Sequence, residues 1–444
     1  MMPMRRVAVI GSGIAGLAAA HALTTEPSPA PLAVTLFEAG DYLGGHTHTV
    51  DITLPGTNGP VSHGVDTGFL VFNHRTYPKL VGLFEALGVA TAPSDMSFSV
   101  QAPDAGAAGL EWSGCNLDTV FAQRRNVARP RFWRMLRDIL RFNRLATAIA
   151  ERNEDAQLTQ PIGDFLAEHA FSPEFRDWYF LPMIGCIWSC PTDQMLRFPV
   201  ATMIRFCHNH GLIQVTDRPQ WHTVRGGARH YVRKIAERLT DVRLSTPVRR
   251  VMHVPGGVRV ATDAGSLPFD AVVLACHSDQ ALALLADPTP QERAVLGAIR
   301  YQPNRAVLHT DSSVLPKRRR AWAAWNYERA TTGSREQAAV CLHYLMNRLQ
   351  PLPFQQPVVV SLNPTREPAR GSVLGDYDYA HPVFDLAAIE AQRRLPDIQG
   401  GSAQRWYCGA WTGYGFHEDG LASGLAAARA VRGWLAAAAA PRAA

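Results

Sequence analysis

Lysine is nearly missing from this 444-residue chain, with only Lys79, Lys234 and Lys317 among its 44 basic residues. Positive charge is carried by arginine, whose planar fork suits phosphates and anionic surfaces. A formal excess of +6 is nevertheless too small to mark a nucleic-acid-binding chain. No stretch reaches the ~20 uninterrupted apolar residues that a membrane span needs. The seven cysteines, at positions 115, 186, 190, 207, 276, 341 and 408, include no CxxC pair. That argues against a disulfide-stapled scaffold and for a reduced, cytoplasmic chain with buried thiols. Cys186 and Cys190 have no histidine cluster at ligand spacing, so no metal site is expected. No internal repeat is present.

What the chain does have is apolar bulk. It is 47% hydrophobic and exceeds the length at which one core stops growing, so two interleaved domains are expected. The opening MRRVAVIGSGIAGLAAAHAL could pass for an export signal, but its glycines make chemical sense in a folded enzyme and it is read as part of the mature protein. RRVAVI reads as a strand, Gly11, Gly13 and Gly16 form GxGxxG, and Ile14 to Thr24 reads as a helix. A second strand, VTLFEA, reaches Glu38, 22 residues after Gly16. This is the dinucleotide-binding βαβ unit: the glycines allow a tight turn, close approach of backbone to a pyrophosphate and close helix packing. Phosphate then sits at the helix N-terminus, and a terminal acid accepts from a ribose hydroxyl. A carboxylate at that point argues against a 2'-phosphate.

Six residues beyond Glu38 comes GGHTHTV, with Gly44, Gly45 and His46. From here the sequence resembles the flavin-dependent amine oxidase and phytoene desaturase superfamily, whose glycine doublet, usually followed by arginine, closes over the FAD diphosphate. His46 stands in place of that arginine. HGVDTGFLVFN, with Asp66 and Gly68, is similar to the family's turn beneath the flavin. VRGGARHYVRKIAERL, followed by VRLSTPVRRVMHV and FDAVVLACHS, resembles its middle block, with Val248 as the adenine contact. RWYCGAWTGYGFHEDGLASGLAAARAV looks like its closing strand, turn and helix. Gly409 would end the strand, and Gly420 and Leu421 would open the helix towards the flavin.

The resemblance implies an α/β fold, in which a discontinuous Rossmann-like FAD-binding domain of the GR2 type is interleaved with an α+β substrate domain. The expected FAD-binding segments are 1–75, 220–290 and 395–444. The expected substrate-domain segments are 76–219, mainly helical, and 291–394, containing strands. Departures from the family pattern refine this reading. Ala410 replaces the usual ribityl-binding acid. Arg305 lies nearest to where amine oxidases place a lysine that holds water near flavin N5, and arginine stays charged. His417 replaces an aromatic-cage tyrosine, and an imidazole of pKa ~6.5 suits a catalytic proton acceptor.

Two features bear on the substrate. In RPRFWRMLRDILRFNRL, Arg134, Arg137, Arg141 and Arg144 share one helix face opposite Phe132, Leu136, Ile139 and Leu140, which suits peripheral contact with an anionic inner-membrane surface. Trp178, Tyr179, Phe180, Met183, Trp188 and Met203 suit either a core or a tunnel for a long apolar molecule. The chain most resembles bacterial FAD-binding proteins associated with cyclopropane-fatty-acid synthase-like methyltransferases. That resemblance implies dehydrogenation of an apolar substrate, such as a methyl-branched acyl chain of a phospholipid. The alternatives are an amine or amino-acid oxidase, and a non-redox isomerase or lipid-presenting protein. The electron acceptor is left open.

Overall fold

The computed structural model describes residues 4–56, 59–153, 159–214, 218–330 and 340–439. Arg5–Ile10 pairs in parallel with Leu32–Phe37 on one side and with Ala271–Leu274 on the other. Asp241–Arg243 and Arg405–Tyr407 extend the sheet at its two edges, also in parallel. Five short strands from the beginning, middle and end of the chain therefore make one sheet. Val7 and Val9 pack into the layer that holds the helices Ile14–Thr25 and His417–Ala439. Ala8 and Ile10 pack towards the antiparallel strands Val248–Val254, Gly257–Thr262 and Gly265–Phe269. Burial on both faces explains why these strands read as unbroken apolar runs.

The two flanking helices pack unusually closely. A Cβ at Gly424 would overlap the Ala15 carbonyl oxygen and lie 3.0 Å from Ala18 Cβ, so only glycine admits this separation. Gly420 faces Ile14 in the same seam.

A second, seven-stranded sheet runs in the order Val373–Val383, Arg300–His309, Val359–Leu362, Cys341–Leu345, Trp325–Glu328, Phe98–Ala102 and Leu110–Ser113. The stretch 76–219 thus supplies two strands of this sheet as well as helices. Val100, Trp112, Tyr327, Leu342 and Val360 pack in one core with Phe132, Phe142, Phe175, Phe180 and Ile184 of the inserted helices. A polar hydrogen-bonded network also crosses this sheet: Ser99 Oγ donates to Asn326 Oδ1 at 2.7 Å, and His343 Nε2 lies 2.8 Å from Glu328.

The helix Pro130–Glu151 departs from the expected arrangement. Its buried stripe is Phe132, Met135, Phe142, Ala146 and Ile149, whereas Leu140 is 54% exposed. Arg134 and Arg141 do not share a free basic face. Arg134 pairs with Glu174, while Arg141 donates to the carbonyls of His169 and Ala170 and lies over the Phe171 ring. The aromatic-rich segment is mostly core, with Trp178, Phe180, Trp188 and Met203 buried. Of the six residues singled out there, only Met183 reaches the cavity described next.

Candidate functional site

A cavity of about 820 Å³ lies where the two sheets meet, at the carboxyl ends of the parallel strands. That edge is where open α/β sheets bind ligands. Its first wall is the turn from Ile10 into the helix Ile14–Thr25. A Cβ at Gly16 would overlap the Gly11 carbonyl, so the helix can begin this close to the strand only with glycine there. At Gly13, by contrast, a Cβ would meet nothing within 4 Å, and the backbone is bare towards the cavity. Glu38 sits beside this turn: one oxygen accepts from Ser12 N at 2.9 Å and from Ser12 Oγ at 2.5 Å, the other from Gly40 N at 2.8 Å. Gly44 and Gly45 close over the turn. Gly44 N donates to Ser12 O at 3.1 Å, and Gly44 holds a φ of +123° that favours glycine.

The other distant segments reach the same cavity. Val248, with Thr246, Pro247 and Arg249, lines the end nearest Glu38, as Thr246 N donates to the Glu38 carbonyl at 2.8 Å. Gly68 to Val71 form another wall, and a Cβ at Gly68 would overlap the His46 carbonyl. Asp66 does not reach the cavity. It accepts from Ala228 N at 2.9 Å and from Gln350 Nε2 at 2.7 Å, fastening the turn at Gly226–Gly227 to the end of the strand Gly59–Asp66. Gly409 and Ala410 arrive from the last strand, with Gly409 N bonded to Ser423 Oγ at 2.9 Å.

Three expectations need correction. Gly420 and Leu421 do not open the closing helix or line the cavity. The helix starts at His417, Gly420 N is bonded to Phe416 O, and Leu421 is 1% exposed in the core. Arg305 points outward instead of towards the cavity, held by Asp376 and Glu367. Tyr301 is the cavity-lining residue of that strand, while Asn304 holds His381 at 2.7 Å.

His417 lines the cavity, but the reason for making it a proton acceptor does not hold. Burial pulls it down to about 3, its ring stacks on Phe69 at 3.7 Å, and Nε2 is engaged by Thr47 Oγ1 at 2.9 Å and Tyr231 OH at 3.1 Å. It is a neutral, anchored ring. Its neighbours are equally occupied: Glu418 accepts from Lys79 N and Leu80 N at the start of helix Pro78–Leu87, and Asp419 accepts from Tyr414 N and Phe416 N. His417 and Glu418 therefore tie the closing turn to other parts of the fold, while Asp419 braces the turn itself.

His46 behaves differently. Desolvation, with His381, His277 and His417 nearby, holds it well below the usual imidazole range. It is bonded to the Ala380 backbone, and its Nε2 is buried without a partner. An orphaned polar atom in a cavity wall is the mark of a site that a ligand completes. Neutral imidazole suits a hydroxyl here better than a phosphate, so His46 is not an electrostatic substitute for the arginine it replaces.

These residues fit FAD: bare glycine backbone at a helix N-terminus for the diphosphate, Glu38 for a ribose, Val248 at the same end, and an unsatisfied acceptor at His46 further along. The family model for flavin-containing amine oxidoreductases matches residues 14–336. The chain belongs to that family. It is an FAD-dependent oxidoreductase. Cyclohexylamine oxidase from Brevibacterium oxydans IH-35A superimposes with a TM-score of 0.66 at 18% identity, covering 98% of this chain and 100% of that one. A fatty acid isomerase from P. acnes that produces CLA gives 0.64 at 16%, covering 96% and 98%. Putrescine oxidase bound to putrescine gives 0.63 at 17%, covering 96% and 98%. At these identities the likeness establishes the fold alone. No curated protein matches at a significant level.

Sequence reasoning missed His277, Tyr301, Asn304 and His381. His277 follows the buried strand ending at Leu274, and a ligand-edge position of that kind is a usable signal. His381 and Asn304 meet only through the pairing of Arg300–His309 with Val373–Val383, which no local pattern announces. Among the described residues, Glu328, Cys341 and His343 form one cluster of metal-ligand type. His343 is already bonded there to Glu328 and Ser361.

Proposed function

We propose that this oxidoreductase dehydrogenates a neutral, apolar lipid chain, such as a methyl-branched fatty acyl group. The observation that carries this reading is the lining of the cavity beyond the glycine turns. It includes Met96, Phe98, Met183, Ile187, Leu212 and Trp325, with Ser189, His210 and Tyr344 as polar members, and Glu38, at the ribose end, is the sole carboxylate among the described residues of the wall. A protonated amine or diamine would enter without an acid to hold it, and an unpaired buried charge is strongly disfavoured. An acyl chain loses nothing by the same transfer, since each buried methylene gains about 0.8 kcal/mol.

When bound, FAD supplies the hydride acceptor. The chain's part is to align the substrate and to keep water out, and such positioning supplies much of the rate where a substrate offers no polar handle. A methyl branch stabilises cationic character at the carbon losing hydride. The adjacent proton is then acidic enough to pass to a weak base, for which a neutral imidazole of the wall such as His277 suffices. The wall matches that demand. Burial lowers His381 to about 4 and His417 to about 3 and raises Cys276 to about 12, leaving these three groups neutral.

Anaerobic mixing of the flavin-loaded protein with lipid extract tests the reading. Bleaching of the flavin, together with a lipid product two hydrogens lighter, supports it. Bleaching by simple amines with peroxide release in air would assign an amine oxidase. A product of unchanged mass without bleaching would assign an isomerase, in line with the fatty acid isomerase that shares the fold.

A further inference from the structure

Ten large apolar residues are exposed among those described, and four of them, Leu117, Val127, Trp133 and Leu140, fall within 24 consecutive positions. They sit together in space. Trp133 Nε1 donates to Val127 O at 2.8 Å, Trp133 packs against Phe121 with ring centres 5.4 Å apart, and Phe121 N bonds Leu117 O one turn away. Along helix Pro130–Glu151, Trp133, Arg137, Leu140 and Arg144 follow one another at spacings of four, three and four, which places them in a single row. Trp133 is 50% and Leu140 54% exposed, and the Arg137 side chain is 74% exposed. This outward row is not the face read from the sequence, since Arg134 and Arg141 turn back to bond the neighbouring segment.

The charge is concentrated in the same place. Residues 117–144 contain eight arginines and two aspartates, an excess of six that equals the formal charge of the whole chain, so the remainder is neutral in sum. A water-facing row alternating tryptophan or leucine with arginine, inside this basic region, has the chemistry of an interfacial helix. The apolar groups enter the acyl boundary while guanidinium groups remain at the headgroups.

We infer that the outer face of helix Pro130–Glu151, with Leu117 and Val127 beside it, docks the enzyme on an anionic phospholipid bilayer. Charge complementarity selects this occupant over a second copy of the chain, whose matching face would set the same outward arginines, Arg137 and Arg144, against their own kind. Docking here would let the enzyme meet acyl chains while they remain part of the bilayer. The inference does not depend on which bond is oxidised, because vesicle binding is read without turnover, so the two proposals can fail separately.

The test is flotation of flavin-loaded protein with vesicles of mixed phosphatidylglycerol and phosphatidylcholine, and with phosphatidylcholine alone. The protein is expected to float with the anionic vesicles only, and to be released by high salt. Combined Arg137→Gln and Arg144→Gln should weaken binding about thirtyfold. Leu140→Ser should weaken it severalfold, with retained flavin absorbance reporting the fold of each variant. Equal binding to neutral vesicles, or unchanged binding of the double variant, would overturn the assignment. So would a concentration-dependent dimer in sedimentation that Leu140→Ser dissociates, which would give the face to a second copy.

Discussion

Gly424→Ala adds one methyl group at the tightest point between the first and last helices, and its effect follows from the packing. The new Cβ would overlap the Ala15 carbonyl oxygen and lie 2.9 Å from its carbonyl carbon. Both are backbone atoms that cannot rotate away. The closing helix must back off, which overpacking data place at about 1–3 kcal/mol. Gly433→Ala provides the internal control, because it lies in the same helix with nothing within 4 Å of its Cβ position. There the methyl should stabilise by about 0.5–1 kcal/mol through helix propensity alone. Urea unfolding of the two variants beside the parent protein should therefore move in opposite directions. Because the N-terminus of that helix carries His417 into the cavity wall, Gly424→Ala should also loosen FAD, measured by the free flavin left after ultrafiltration. Equal and same-signed shifts for the two substitutions would refute the argument that glycine is required by helix contact.

Other expectations follow from single contacts. His46→Leu removes the unpartnered acceptor Nε2 together with the bond to the Ala380 backbone, and should raise the FAD dissociation constant about tenfold, measured by fluorescence quenching. Glu418→Ala releases Lys79 N and Leu80 N and should cost about 1 kcal/mol in unfolding experiments. Burial lowers His210, His309 and His381 to about 4 and His417 to about 3, so these groups take up protons near 6.5 only when the chain is unfolded. Stability present above pH 6.5 should therefore be lost as pH falls towards 4, visible in melts across that window. For the same reason the rate of flavin reduction should show no limb between pH 5 and 8 that His417→Gln removes; such a limb would restore His417 as the base.

The cofactor cradle is legible in the sequence because its demands are local. Gly11, Gly13, Gly16 and Glu38 lie within one strand-turn-helix-strand unit: Gly11 and Gly16 answer to backbone geometry, Gly13 leaves the backbone bare, and the Glu38 carboxylate bonds the turn. Gly44, Gly45, Val248 and Gly409 follow from resemblance, and the structure places each on the same cavity. The errors share a different cause. Gly420 reads as a contact to the cofactor because helix openings and helix seams both select glycine, and only the partner helix, with Ile14 opposite, tells them apart. Strand position alone sends Arg305 inward, but alternate residues of a strand face opposite ways, and Asp376 across the ladder draws it outward. His417 carries in the sequence a basicity that depends on solvent, and the stacking of Phe69 that removes solvent involves a residue 348 positions away. Arg134 and Arg141 share a face by helical angle, yet their partners Glu174, His169 and Ala170 belong to a later segment.

The central claim is that strands from the beginning, middle and end of the chain bring their glycine turns to one cavity shaped for a single FAD. The most direct measurement is the flavin content of the purified protein, released by denaturation and identified chromatographically, set against protein concentration. One FAD per chain is predicted. Protein that is folded yet colourless, and that takes up no FAD when titrated with it, would contradict the account.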